Sequence, residues 1–230
     1  MNARRCAEHS RVAHPRAPGL KRTMRHRSLK LTALVLGLGL LLPLAAAAEA
    51  AWTAAPEVQR RLKTGEIVIE PTTAVDPQSP RGGVRAAVLI RARPEAIWRV
   101  MTDCAQATLF VPGLKRCRRL GGAADGRWDD IEQEMRYAWY LPSVVTVFRA
   151  DYERPHRIDF HRIRGDLKQE EGTWLLSATA DGAATVVAYE MYIDPGFWVP
   201  LFLVNRSLRK DLPAALAGLR QRVEAPAGKP

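Results

Sequence analysis

Few residues of this chain have the type and spacing of catalytic groups. Beyond residue 50 the histidines are His156 and His161. His161 and Asp159 share one side of a strand, since side chains alternate and both positions are odd. Such a pair could begin a metal site, but a tetrahedral centre needs more ligands than these two supply. The pair therefore reads as solvated groups on a surface strand, and neither a metal nor a cofactor is expected. Asp103 could act as a carboxylic acid, yet its place just before a helical segment fits an N-cap. No G-x-S-x-G elbow, phosphate-cradling glycine loop or H-E-x-x-H follows residue 50, so no catalytic residue is assigned.

The residues suited to holding a ligand are aromatic. Tyr137, Trp139, Trp174 and Tyr189 lie in strand-like stretches, where one face would line an interior and the other would meet water. Tyr137 and Trp139 share a face. Glu190 and Tyr192 share another, with Tyr189 opposite. Rings with a polar tip suit a pocket for a large amphipathic ligand, and they equally suit an ordinary core. Trp98 reads as core packing. Arg149 and Glu190 interrupt apolar strands. Turned inward, each would need a partner and could fix a ligand's polar head; turned outward, they would be surface residues. Residues 195–204, with Phe197, Trp198 and Phe202, form the densest apolar run of this part of the chain. They read either as core or as a gate that meets an acyl chain or a membrane.

The elements that would carry these residues follow from periodicity and breakers. Pro56–Lys63 fits a short helix with Val58 and Leu62 on one side, and Glu66–Glu70 a strand. Residues 71–83 are a Pro/Gly-rich connection. Val84–Ala92 is an apolar strand. Pro94 suits the first turn of a helix whose apolar face is Ile97, Trp98 and Met101. Asp103 with Gln106 forms a capping-box pattern for a second helix, which must stop before Pro112-Gly113. Six strands are then expected: Leu114–Leu120, Trp128–Tyr140, Val144–Glu153, Arg157–Ile163, Lys168–Thr179 and Thr185–Asp194. Turn-forming residues separate them, which implies an antiparallel meander. Leu201, Val204, Leu208, Leu212, Leu216, Leu219 and Val223 recur at helical steps, with a kink or restart expected at Pro213. The apolar stripe of this helix must be buried, and the concave face of the sheet is the available partner.

The order strand, two helices, six strands and long helix resembles the START-like or SRPBCC superfamily. Within it, the chain is most similar to the polyketide cyclase/dehydrase and coenzyme Q-binding START branch. The matching features are Ala92-Arg93-Pro94-Glu95 leading into Ile97-Trp98, the spacing from Trp98 to Asp103, and Phe110-Val111-Pro112-Gly113. Glu171-Gly172-Thr173-Trp174 on a late strand and Asp194-Pro195-Gly196 with Pro200 also fit. The resemblance covers residues 84–224. It implies an α+β helix-grip fold, a curved antiparallel sheet of about seven strands around a long C-terminal helix, with an apolar cavity between them. It implies a hydrophobic small molecule, a lipid or quinone, as ligand, and it carries no shared catalytic motif. Tyr137, Trp139, Arg149, Trp174, Tyr189, Phe197, Trp198 and Phe202 are the candidate ligand-binding residues on this reading. A cyclase- or dehydratase-type enzyme in the same cavity, and an interaction module of the cell envelope, are the rival functions. A lipocalin-like barrel is the rival fold, opposed by the helices.

Charge and targeting set the surroundings. The net charge is +11, from 35 basic and 24 acidic residues. Nine and two of these lie in residues 1–50, which leaves 26 and 22, a net of +4, for the rest. No basic run with interleaved aromatics follows, so nucleic acid is not an expected partner. Residues 1–50 read as a leader and a Sec-type signal peptide. Arg25, Arg27 and Lys30 precede the apolar run Leu31–Leu44, and Ala48-Glu49-Ala50 is a small-x-small cleavage site. Met24 is a candidate start. Export to the periplasm is thus expected, with transient membrane contact compatible with the apolar run at 195–204. Residues 51–83 read as an N-terminal extension, 84–224 as the ligand-binding domain and 225–230 as a tail. Cys104 and Cys117 are close enough in order for a disulfide; two buried thiols are the preferred reading. Oligomeric state is left open.

Overall fold

The computed structural model describes residues 52–73, 82–196 and 206–225. The elements in chain order are α1 (Pro56–Lys63), β1 (Val68–Thr73), β2 (Gly82–Ile90), α2 (Pro94–Met101) and α3 (Cys104–Phe110). Then come β3 (Leu114–Gly122), β4 (Trp128–Met135), β5 (Val144–Glu153), β6 (Arg157–Gly165), β7 (Gln169–Ala178) and β8 (Thr185–Asp194). A π-helical turn, Ser207–Asp211, leads into α4 (Leu212–Glu224). The eight strands form one antiparallel sheet in the order β1-β2-β8-β7-β6-β5-β4-β3. Seven of them are the expected meander. The eighth, β1, comes from the N-terminal extension and pairs along β2, Val68 opposite Ala87.

One face of the sheet carries the main core. Ala86, Val88 and Ile90 of β2 pack with Val187, Leu176, Ile158 and Ala150 against Ile97 and Trp98 of α2 and Leu216 and Leu219 of α4. Fully burying a leucine contributes about 1.5–3 kcal/mol, so Leu216 and Leu219 anchor α4. The other face is covered at β1, β2 and β8 by α1, where Val58 and Leu62 meet Val68, Ala87 and Val186. This double coverage explains why β2 and β8 carry consecutive apolar residues, Ala86-Ala87-Val88 and Val186-Val187-Ala188, rather than an alternation.

Pro94 occupies the first turn of α2, after Arg93 in an extended conformation. Asp103 caps α3 by accepting the Ala105 amide at 2.8 Å. The expected capping box is only half formed. Gln106 accepts from Arg222 Nε at 2.6 Å, so its side chain ties α3 to α4 instead of returning to the cap. After α3 the chain reverses at Gly113, whose φ is +80°. A Cβ there would lie 2.7 Å from the Arg136 carbonyl oxygen, and the Arg136 amide donates to the Gly113 carbonyl at 2.8 Å. Glycine is needed at that position.

Two expectations are corrected. Cys104 and Cys117 form a disulfide rather than two buried thiols. The start of α3 lies beside β3, with the two Cα atoms 5.1 Å apart, within bridging range. The strand expected to run to Tyr140 stops at Met135, which pairs with Val144, the first residue of β5. Pro142 cannot donate to a ladder, so no partner strand exists for residues 136–140. Pro213 marks the expected restart, sitting in the first turn of α4. The earlier part of that stripe, Leu201 and Val204, lies outside the described residues.

Candidate functional site

A partly enclosed, mainly apolar hollow of about 290 Å³ lies between α4, α3 and the inner face of the sheet. Two larger hollows, of about 590 and 880 Å³, lie on the outer face and beside α2, α3 and α4. Both are more polar in their lining, so the smaller hollow is the better suited of the three to an apolar molecule. The walls of this cavity follow strand parity. β4 contributes Ile131, Gln133 and Met135; β5 contributes Phe148, Ala150 and Tyr152. β7 contributes Glu170 and Trp174, and β8 contributes Tyr189 and Met191. The roof is Leu212, Ala215, Leu216 and Leu219 of α4, and the Cys104–Cys117 bridge closes one side.

The aromatic wall is a stack. Trp174 and Tyr189 have ring centroids 4.2 Å apart, and Phe160 lies parallel to Tyr189 at 6.2 Å. The Phe160 ring covers Gly172. A Cβ on that glycine would come within 2.5 Å of the ring and 2.2 Å of the Glu190 carbonyl oxygen. At the other end, Trp98 packs edge-on to Tyr152 at 5.5 Å.

One end of the cavity is polar. Glu170 lines it, and its Oε2 is sealed from solvent without a hydrogen-bond partner. Burial holds its carboxyl above the ordinary carboxylate range, opposed in part by the Thr146 hydroxyl and the nearby Arg162 guanidinium. Arg162 donates through Nη2 to the Gly165 carbonyl at 2.7 Å. The Tyr137 phenol is pushed up to about 12, first by burial and then by the charges of Glu170 and Asp211. Burial also raises Tyr189, whose hydroxyl donates to the Met191 sulfur. These groups give the cavity an apolar body and a short polar end.

The candidate residues divide accordingly. Tyr137, Trp174 and Tyr189 line the cavity together. Trp139 does not: it is 86% exposed and packs edge-on against Tyr140, because β4 ends before it and strand parity no longer applies. Arg149 turns to the outer face, where Asp130 receives its Nε at 2.9 Å and the Trp128 ring lies 3.9 Å beneath it. The strong ion pair holds the Asp130 carboxyl below its usual range. Arg149 is therefore no head-group anchor. Glu190 also faces outward, accepting the Tyr192 hydroxyl at 2.8 Å. Phe197, Trp198 and Phe202 lie outside the described residues. His161 sits on the outer face 3.7 Å from Asp151. Among the described residues no group of three or more His, Cys, Asp or Glu gathers to hold a metal.

Glu170 is the functional group that sequence reasoning missed. The signal was present: Glu170 and Trp174 are both even-numbered positions of one strand and so share a face. Trp174 being a cavity candidate placed Glu170 there too.

A family model described as polyketide cyclase/dehydrase and lipid transport matches residues 90–220. No curated protein matches the sequence significantly. Solved structures with the same fold include a STAR-related lipid transfer protein from Xanthomonas axonopodis, 18% identical, TM-score 0.58, covering 68% of this chain and 93% of that one. A START superfamily protein from Mycobacterium smegmatis is 20% identical, TM-score 0.53, covering 62% and 97%. The Zhui aromatase/cyclase from a Streptomyces species is 18% identical, TM-score 0.51, covering 65% and 99%.

Proposed function

Because the chain belongs to the polyketide cyclase/dehydrase and lipid transport family, we propose that it binds and carries a hydrophobic small molecule, a lipid or quinone, beneath α4. The observation that carries this reading is the largely apolar cavity of about 290 Å³ beneath α4, with an aromatic wall and one polar end. Such a site removes apolar surface from water at about 25 cal/mol per Å² while a few polar groups orient the ligand. The carrier works in the periplasm. The signal-like features of residues 1–50 and the Cys104–Cys117 bridge support that placement, since disulfides persist in oxidising compartments. Contact with a membrane would load the cavity. The exposed pair Trp139 and Tyr140 follows cavity-lining Tyr137 by two and three residues, and such rings favour the bilayer interface. No helix among the described residues is long and apolar enough to cross a membrane.

A second reading, a cyclase- or dehydratase-type enzyme, is favoured by one observation: Glu170 and Tyr137 line the same cavity with shifted proton affinities. The binding reading is tested by gentle purification, native mass spectrometry and solvent extraction. One apolar molecule per chain, released by organic solvent, is expected. A bare chain that also refuses apolar probes would contradict it. N-terminal sequencing of exported protein should find a start near Ala51; a chain still beginning at Met1 or Met24 would contradict export with cleavage.

A further inference from the structure

We propose that the cavity selects ligands whose polar head is an uncharged hydrogen-bond donor, a hydroxyl or amino group, received by Glu170. The inference rests on the binding reading above and narrows it: among the ligands named there it selects a hydroxyl- or amino-headed lipid or a quinol over an oxidised quinone, whose carbonyls only accept. Three observations converge on it. Glu170 lines the cavity, and its Oε2 has no partner although it is sealed from solvent. A buried polar atom left in that state costs free energy that a bound donor would recover. No Arg, Lys or His lines the cavity among the described residues. An anionic head would therefore lose its hydration with no cation to receive it, and would do so beside a carboxyl group. The remaining polar lining groups carry no positive charge: the Tyr189, Tyr152 and Thr102 hydroxyls donate to Met191, Asp129 and the Trp98 carbonyl, Gln133 and Tyr137 are neutral donors, and Arg162, which lies near Glu170, is not part of the wall. The aromatic cluster of Trp174, Tyr189 and Phe160 lines the same cavity as Glu170. A ring bearing a hydroxyl or amine fits both features at once.

Naphthalene probes of one shape and different heads test this on the full chain. Naphthol and naphthylamine donate, methoxynaphthalene only accepts, and naphthoate is an anion. By titration calorimetry, the wild-type protein should bind each donor about tenfold more tightly than methoxynaphthalene, the effect of one hydrogen bond to a buried acceptor. Naphthoate should bind weakest. Naphthol winning over naphthylamine would assign the site to hydroxyl heads, and the reverse to amines; either supports the proposal. Glu170→Met should bring naphthol and methoxynaphthalene within about twofold of each other. Glu170→Gln keeps the volume but adds an NH2 group from which methoxynaphthalene can accept, so it should narrow the preference without abolishing naphthol binding; cooperative urea unfolding of both variants is the folding control. Equal binding of naphthol and methoxynaphthalene by the wild type, tightest binding of naphthoate, or a preference that survives Glu170→Met would overturn the proposal alone. Failure of all four probes to bind would overturn the binding reading with it.

Discussion

Replacing Trp98 with Ala should destabilise the protein by about 3–5 kcal/mol, the usual cost of emptying a large aromatic site. The ring is only 6% exposed and packs on Tyr152 between α2 and the sheet. Trp139→Ala should change stability by less than about 0.5 kcal/mol, because the side chain is almost fully exposed. Urea unfolding separates the two, and similar costs would contradict the placement of either residue. Glu170 gives a pH-dependent expectation. Its folded-state pKa is raised by burial, so its stabilising effect is complete below the unfolded pKa and is lost as pH rises through the folded value. Glu170→Gln should therefore gain in Tm over the wild type as pH climbs above about 4.5, the ordinary carboxyl value. A Tm difference that stays constant with pH would contradict the burial of that carboxyl. At this scale legibility was uneven. Trp98 could be placed from sequence because helix periodicity puts it on the apolar face of α2 with Ile97, whereas for Trp174 and Tyr189 strand parity gave shared faces without saying which face turned inward. Arg149 and Trp139 could not. Arg149 depended on whether an outward partner existed, and Asp130 supplies one from the neighbouring strand. Trp139 depended on where a strand ended.

Strand ends are set by partners, and that is why the elements were legible in type but not always in extent. β4 stops at Met135 because β5 begins only after Pro142, a restriction held in another part of the chain. The helices were clearer, since Pro94, Asp103 and Pro112-Gly113 are local signals for starts and stops. The disulfide was not legible, because sequence order does not reveal that the start of α3 lies against β3. Removing it with Cys104→Ala and Cys117→Ala together should cost about 3 kcal/mol, the value expected for a loop of this size, its ends being 13 residues apart. A thiol count on denatured, unreduced protein should find neither Cys104 nor Cys117 free, and two free thiols at these positions would contradict the bridge. Gly172→Ala tests the aromatic wall. The added methyl must displace the Phe160 ring or the β8 backbone, so a loss of about 1–3 kcal/mol is expected from overpacking.

The architecture of the whole molecule was the most legible level. The order of strand, two helices, meander and terminal helix is a property of the entire chain, and no single misplaced strand end alters it. What a sequence does not carry is the volume left between a sheet and a helix, which depends on packing of residues far apart in order. That volume is the basis of the functional reading. Ala215 of α4 lines the cavity roof, and Ala215→Phe would add a ring to that roof while leaving the residues of the aromatic wall unchanged. The most direct measurement is therefore a fluorescence titration with phenylnaphthylamine, an uncharged apolar dye, comparing wild type with Ala215→Phe. The account predicts saturable binding of one dye per wild-type chain and loss of about tenfold or more in affinity in a variant that still unfolds cooperatively. Equal binding by both proteins, or none by the wild type, would contradict a ligand held beneath α4.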